Sequence, residues 1–72
     1  MEKTTFELKE NEEYIELMKV LKIKQVAQTG GHAKLMISEG LISVNGEQEL
    51  RKRKKLRKGD LIHVDDIEIK IV

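Results

Sequence analysis

The sequence predicts an α+β fold in which two packed helices lie against a small, mostly antiparallel sheet. Two segments, 12–21 and 29–39, place apolar residues at the helical period. Segments 4–8, 42–44, 61–64 and 67–72 read instead as short strands, most of them alternating apolar with polar residues. Asn45-Gly46 and Asp65-Asp66 supply tight turns between the later strands. With 72 residues the chain has room for one core, and the expected domain runs over residues 1–72. A core this small supplies no more than ~3–5 kcal/mol, which leaves little stability spare for a deep, strained active site.

Thr4, Phe6 and Leu8 alternate with Thr5 and Glu7, the pattern of a half-buried strand. Asn11 is placed to cap the next element, and Glu12 and Glu13 suit the positive end of its dipole. Tyr14, Leu17, Met18 and Leu21 fall at i, i+3, i+4 and i+7, which predicts an amphipathic helix over 12–21. Lys19, Lys22 and Lys24 gather towards its end, where cations are favoured. The link over 23–28 is left open between a turn and a short strand. Thr29 can cap the second helix, Ala33, Met36 and Ile37 form its apolar face, and Lys34 lies opposite that face. Gly40 stands where a left-handed residue closes a helix. Ile42 and Val44 then lead into Asn45-Gly46, a pair suited to the positive φ angles of a two-residue hairpin. At the end of the chain Ile67, Ile69 and Ile71 face one way. Phe6 and Leu8 match them if the first strand joins the same sheet.

Between the hairpin and the last two strands lies a run of seven cations in eight residues, 51–58, closed by a Lys58-Gly59-Asp60 turn. An extended conformation is expected there, with Leu50 and Leu56 on one side as anchors and Arg51, Arg53 and Lys55 on the other. The formal net charge of +1 conceals how strongly charge is segregated. Residues 1–16 set two lysines against six glutamates, 19–58 set eleven cations against three glutamates, and 59–72 set one lysine against four acids. A basic middle between acidic ends points to a polyanionic partner met by one face. Such a run can be no more than a solvated loop. Its place between ordered parts forces folding to hold like charges together, which fits a fixed phosphate-binding edge better. Gly30-Gly31 has two readings: a flexible helix entry, or bare amides that bind a phosphate with His32 and Lys34 beside them.

These signals, in this order, resemble the S-four RNA-binding domain, also called the alpha-L RNA-binding motif. The family pattern is a capped helix with Ala-Lys/Arg-x-x-Ile, then Gly, Val-x-Val-Asn-Gly, a basic stretch and Gly-Asp. Here it stands as Ala33-Lys34-Leu35-Met36-Ile37, Gly40, Ile42-Ser43-Val44-Asn45-Gly46, Arg51 to Lys55, and Gly59-Asp60. The wording around Thr29-Gly30-Gly31 resembles the small stand-alone members, with the core motif over residues 14–64. Two positions depart from the pattern. Thr29-Gly30 replaces the usual Ser-Arg that opens the second helix, and Glu16-Leu17-Met18 replaces Arg-Leu-Asp in the first. The resemblance implies a non-catalytic module that docks on structured RNA, ribosomal RNA first, in ribosome assembly, quality control or translation. Together with the charge pattern it nominates Lys24, Thr29, Gly31, His32, Lys34, Arg51, Lys52, Arg53, Lys54 and Lys55 as RNA contacts.

Catalysis is not expected. Asp65-Asp66 reads as a turn rather than a carboxylate pair, and Ser38 and Ser43 have no evident base. His32 has no second metal ligand nearby in sequence, and His63 reads as an ordinary, partly exposed strand residue. The chain has no cysteine and no phosphate-loop motif, so no metal, cofactor or small-molecule substrate is expected. Without cysteine, without an apolar run near the ~20 residues that span a bilayer, and with an acidic start, the expectation is a cytoplasmic monomer with no membrane contact. Two other readings are an adaptor that binds protein through its acidic ends and Leu35 or Leu41, and a non-specific binder of duplex DNA. Phe6 and Tyr14 fall on apolar positions of core elements. No ring is then left to stack unpaired bases, which favours shaped RNA over single strands.

Overall fold

The computed structural model describes residues 2–72. The chain runs β1 (Glu2–Phe6), β2 (Ile15–Glu16), α1 (Leu17–Ile23), α2 (Gly30–Ser38), β3 (Ile42–Val44), β4 (Glu47–Gln48), β5 (Lys55–Leu56), β6 (Leu61–Val64) and β7 (Ile67–Ile71). Five strands form one sheet in the order β1-β7-β6-β3-β4, and β2 pairs with β5 in a separate ribbon. Among the described residues only β1 with β7 is parallel, with Thr4 opposite Ile69 and Phe6 opposite Ile71. The fold is thus the expected α+β arrangement of two helices packed against a mostly antiparallel sheet. Leu17, Val20 and Leu21 from α1 and Ala33, Met36 and Ile37 from α2 share one core with Ile42, Val44, Ile62, Val64, Ile69 and Ile71.

The first helix differs from the expectation over 12–21. It begins at Leu17, and Asn11 does not cap it; residues 9–12 form a turn, with the Glu12 amide donating to the Lys9 carbonyl at 2.9 Å. Ile15 and Glu16 are instead captured by β5, opposite Leu56 and Lys55. A strand edge from forty residues further on outcompetes local helix extension, because it buries Ile15 beside Leu56. Tyr14 is thereby left outside the helix and 40% exposed, not in the core. The link after α1 is a turn, made by Gln25 in the left-handed region (φ 61°), with the Val26 and Ala27 amides returning to the Leu21 carbonyl.

The second helix follows its sequence signals. The Thr29 hydroxyl accepts from the His32 amide at 3.0 Å. At the other end the Leu41 amide donates to the Met36 carbonyl and the Gly40 amide to that of Ile37, a Schellman closure. Gly40 (φ 79°) serves there twice, since a methyl group on it would also run into the Gln48 amide, which donates to the Gly40 carbonyl.

Asn45 does more than allow a turn. Its side chain donates to Asp60 Oδ1 at 3.0 Å and accepts from the Leu61 amide at 2.9 Å, while Asp60 Oδ2 accepts from the Arg57 amide at 2.8 Å. The hairpin is thereby tied to the turn that ends the basic run. Asn45→Gly keeps the left-handed freedom (φ 54°) but removes both side-chain bonds. It is expected to lower unfolding free energy by about 1–2 kcal/mol in a urea titration. An unchanged midpoint would reduce Asn45 to a turn residue.

Candidate nucleic-acid interface

The basic run is folded, not extended. A turn at Lys52 and Arg53 returns the Lys54 amide to the Arg51 carbonyl at 3.1 Å. Leu56 is fully buried, but Leu50 is 57% exposed, so the expected pair of leucine anchors is not formed. The turn breaks the alternation that would have put both on one side. Other contacts hold the segment. α1 has no side-chain cap, and its first amides donate to basic-run carbonyls instead, Leu17 to Lys54 at 2.9 Å and Met18 to Lys52 at 3.1 Å. Those carbonyls take the place of a cap at the positive end of the helix. The segment therefore turns its backbone inward, and Arg51, Lys52, Arg53 and Lys55 stand exposed around a shallow concavity with the half-buried Lys54.

The inner end of the run is set by Glu49, only 9% exposed. Glu49 Oε2 accepts from the Arg51 backbone amide at 3.0 Å and from Nε at 2.9 Å, and Oε1 accepts from Nη2 at 3.2 Å. The bond from the Arg51 side chain holds the Glu49 carboxyl below its usual range, against the opposing effect of burial, with help from the Arg51 amide and the charges of Arg51 and Lys54. In turn Glu49 raises the Arg51 pKa. The sequence reading counted Glu49 only as one negative charge in a basic region. The signal that could have found it is the i, i+2 spacing to Arg51, which puts both side chains on one side of an extended backbone.

At the start of α2, the Thr29 hydroxyl accepts from the His32 amide, and the His32 ring reaches back to Gln28. His32 Nδ1 accepts from the Gln28 amide at 3.2 Å. Gly31, His32 and Lys34 are exposed. Met18 spans the distance from this helix end to the basic run. Its amide bonds Lys52, and its methyl carbon lies 3.8 Å from where a Cβ on Gly30 would stand. Met18 thus links the Gly30 end of α2 to the basic run through α1. Lys24 lies elsewhere: it caps the far end of α1, roughly 10 Å along the axis from Leu17, and lines a groove with β1 and β7. Tyr14 was missed as part of this surface. The Lys55 ammonium lies over its ring at 4.9 Å from the centroid, a cation–π contact.

A family model described as S4 domain matches residues 6–72. The chain belongs to the S4 domain family. YbcJ of Escherichia coli (strain K12) is 32% identical to this S4 domain over 59 residues, 82% of this chain and 84% of its own. Its solution structure superposes with a TM-score of 0.72 over 94% of this chain and 85% of that one, and is described as revealing an alpha-L motif involved in RNA binding. "Probable ribosome maturation protein RlbA" of Bacillus subtilis (strain 168) is 40% identical over 53 residues, 74% of this chain and 75% of its own. Among the described residues no group of three or more His, Cys, Asp or Glu could hold a metal ion, and no helix is long and apolar enough to cross a membrane.

The Glu49 carboxylate stays charged in the folded S4 domain where the unfolded chain begins to protonate. Its stabilising effect is therefore fully present above the ordinary value near 4.5 and is lost as pH falls through the lower folded value. Wild type is expected to melt above Glu49→Gln at pH 7, with the gap closing as pH falls below that ordinary value. A gap as wide at pH 3 as at pH 7 would show that the charge on Glu49 contributes nothing.

Proposed function

We propose that this S4 domain is a non-catalytic RNA-binding module that docks on structured RNA, ribosomal RNA first, and acts in ribosome assembly, quality control or translation. The observation that carries the reading is the basic run with its carbonyls bonded to α1 and its side chains turned outward. Holding Lys52, Arg53 and Lys55 on a fixed backbone lowers the ordering cost of meeting several phosphates at once. Helix end, hairpin and cations can follow phosphates and 2′-hydroxyls across a shaped RNA. Tyr14 is one exposed ring, already under Lys55, and is a poor platform for a run of unpaired bases. The relatives lend support: YbcJ through a motif described as involved in RNA binding, and RlbA through a name that refers to ribosome maturation. A cytoplasmic setting accords with that role.

Competition against a labelled junction-containing RNA tests the reading. Unlabelled copies of that RNA are expected to compete better than polyuridine or duplex DNA of equal length. With about four phosphates neutralised, log K should fall against log salt with a slope of about −3 to −4, roughly a hundredfold between about 50 and 200 mM. Lys52→Ala with Arg53→Ala is expected to flatten that slope by about two, while Lys3→Ala with Lys70→Ala leaves it unchanged. Equal effects from the two pairs, or equal competition by all three nucleic acids, would leave only a general polyanion binder.

A further inference from the structure

Glu49 is the one charged residue buried among the described residues, and it stands at the root of the most basic segment of the chain. A carboxylate there lowers the positive potential that the RNA-binding reading relies on. Its geometry offers a reason for its presence. Both Glu49 oxygens are spent on Arg51, on the backbone amide, Nε and Nη2, at 2.9–3.2 Å. Even so, the Arg51 side chain is 72% exposed. A guanidinium is planar and carries five N–H donors in fixed directions. With the Nε and Nη2 edge bound to Glu49, the second fork, one N–H each from Nη1 and Nη2, remains on the exposed side. That fork matches two oxygens of one phosphate. Lys52 and Lys55 offer only point charges on flexible stems.

Building on the RNA-binding reading, we propose that Glu49 is a positioning residue that holds the outer fork of Arg51 for a bidentate contact with one phosphate of the bound RNA. Arg53 and Arg57 carry guanidinium groups too, but among the described residues Arg51 is the one arginine of the segment whose side chain a carboxylate holds in place. The proposal has a sign opposite to that of simple electrostatics. Removing Glu49 makes the segment more positive, which by charge alone strengthens binding to any polyanion. By positioning, it weakens binding to the folded RNA.

The test is a titration of the junction-containing RNA with wild type, Glu49→Gln, Arg51→Lys and the double variant, at one salt concentration and a temperature where circular dichroism shows each folded. Glu49→Gln is expected to bind about tenfold more weakly in spite of its added positive charge, the size of one charge-assisted hydrogen bond. Arg51→Lys keeps the charge and loses the fork, and should weaken binding to a similar extent. The double variant should be no weaker than Arg51→Lys, since the two residues act as one unit. If Glu49→Gln fails to fold, Glu49→Asp, which keeps the charge but draws the carboxylate back from Arg51, takes its place and is expected to weaken binding likewise. Glu49→Gln binding as tightly as wild type or tighter, or Arg51→Lys keeping full affinity, overturns the positioning role while wild-type binding still stands. Absence of wild-type binding to the folded RNA overturns the parent reading, and this one with it.

Discussion

Leu17 and Met18 open a helix that no side chain caps, and their amides are taken up by the carbonyls of Lys54 and Lys52. The rest of the molecule depends on that exchange. It starts α1 at Leu17 and leaves Ile15 and Glu16 to pair with β5. It also turns the backbone of residues 52–54 towards α1, with Arg51, Lys52, Arg53 and Lys55 left exposed. Two exposed unit charges about 7 Å apart in water repel by roughly 0.6 kcal/mol before salt screening. A net gain of about 0.5–1.5 kcal/mol per hydrogen bond, and of about 1.5–3 kcal/mol for burying Leu56, offsets several such pairs. Glu49 cancels part of the remainder at the inner end of the run.

The hairpin side of the run is fixed by a different device. Asn45, in a left-handed conformation that suits the turn, spends its amide group on Asp60 and Leu61, and Asp60 in turn takes the Arg57 amide. The basic segment is thus held to α1 through the Lys52 and Lys54 carbonyls and to the hairpin through Asp60, in both cases by hydrogen bonds to chain distant in sequence. It opens on a single turn, closed between Arg51 and Lys54. A segment held in this way presents its charges in one arrangement, which is what recognition of a shaped surface requires and what a solvated tail lacks.

What could be read from the sequence was what local chemistry decides. Thr29 as cap, the face of Ala33, Met36 and Ile37, the closure at Gly40 and the Asn45-Gly46 hairpin all follow from neighbours a few residues apart. The pairing of Phe6 with the C-terminal isoleucines is long-range, and it could be read because two alternating strands had few other partners. What could not be read was decided from afar. The period of Tyr14, Leu17, Met18 and Leu21 suits a helix, but β5 takes the chain at Ile15 and strands Tyr14 at the surface beside Lys55. Leu50 looked like an anchor by alternation until the turn at Lys52 and Arg53 removed it. Asn45 and Asp60, 15 residues apart, carried turn signals but no sign of the bond between them. Of the candidate contacts, Arg51, Lys52, Arg53, Lys54 and Lys55 line one shallow concavity, and Lys24 lies at the far end of α1.

The docking of the basic run on α1 is most directly tested by amide hydrogen exchange at Leu17 and Met18, followed by NMR in the absence of RNA. Bonded to Lys54 and Lys52, these two amides are expected to exchange as slowly as the amides of Ile62 and Ile69 in the sheet, although they open a helix, where the first amides are ordinarily unprotected. Exchange at the rate of an unstructured peptide would mean that the run is free of the helix and the array is not fixed.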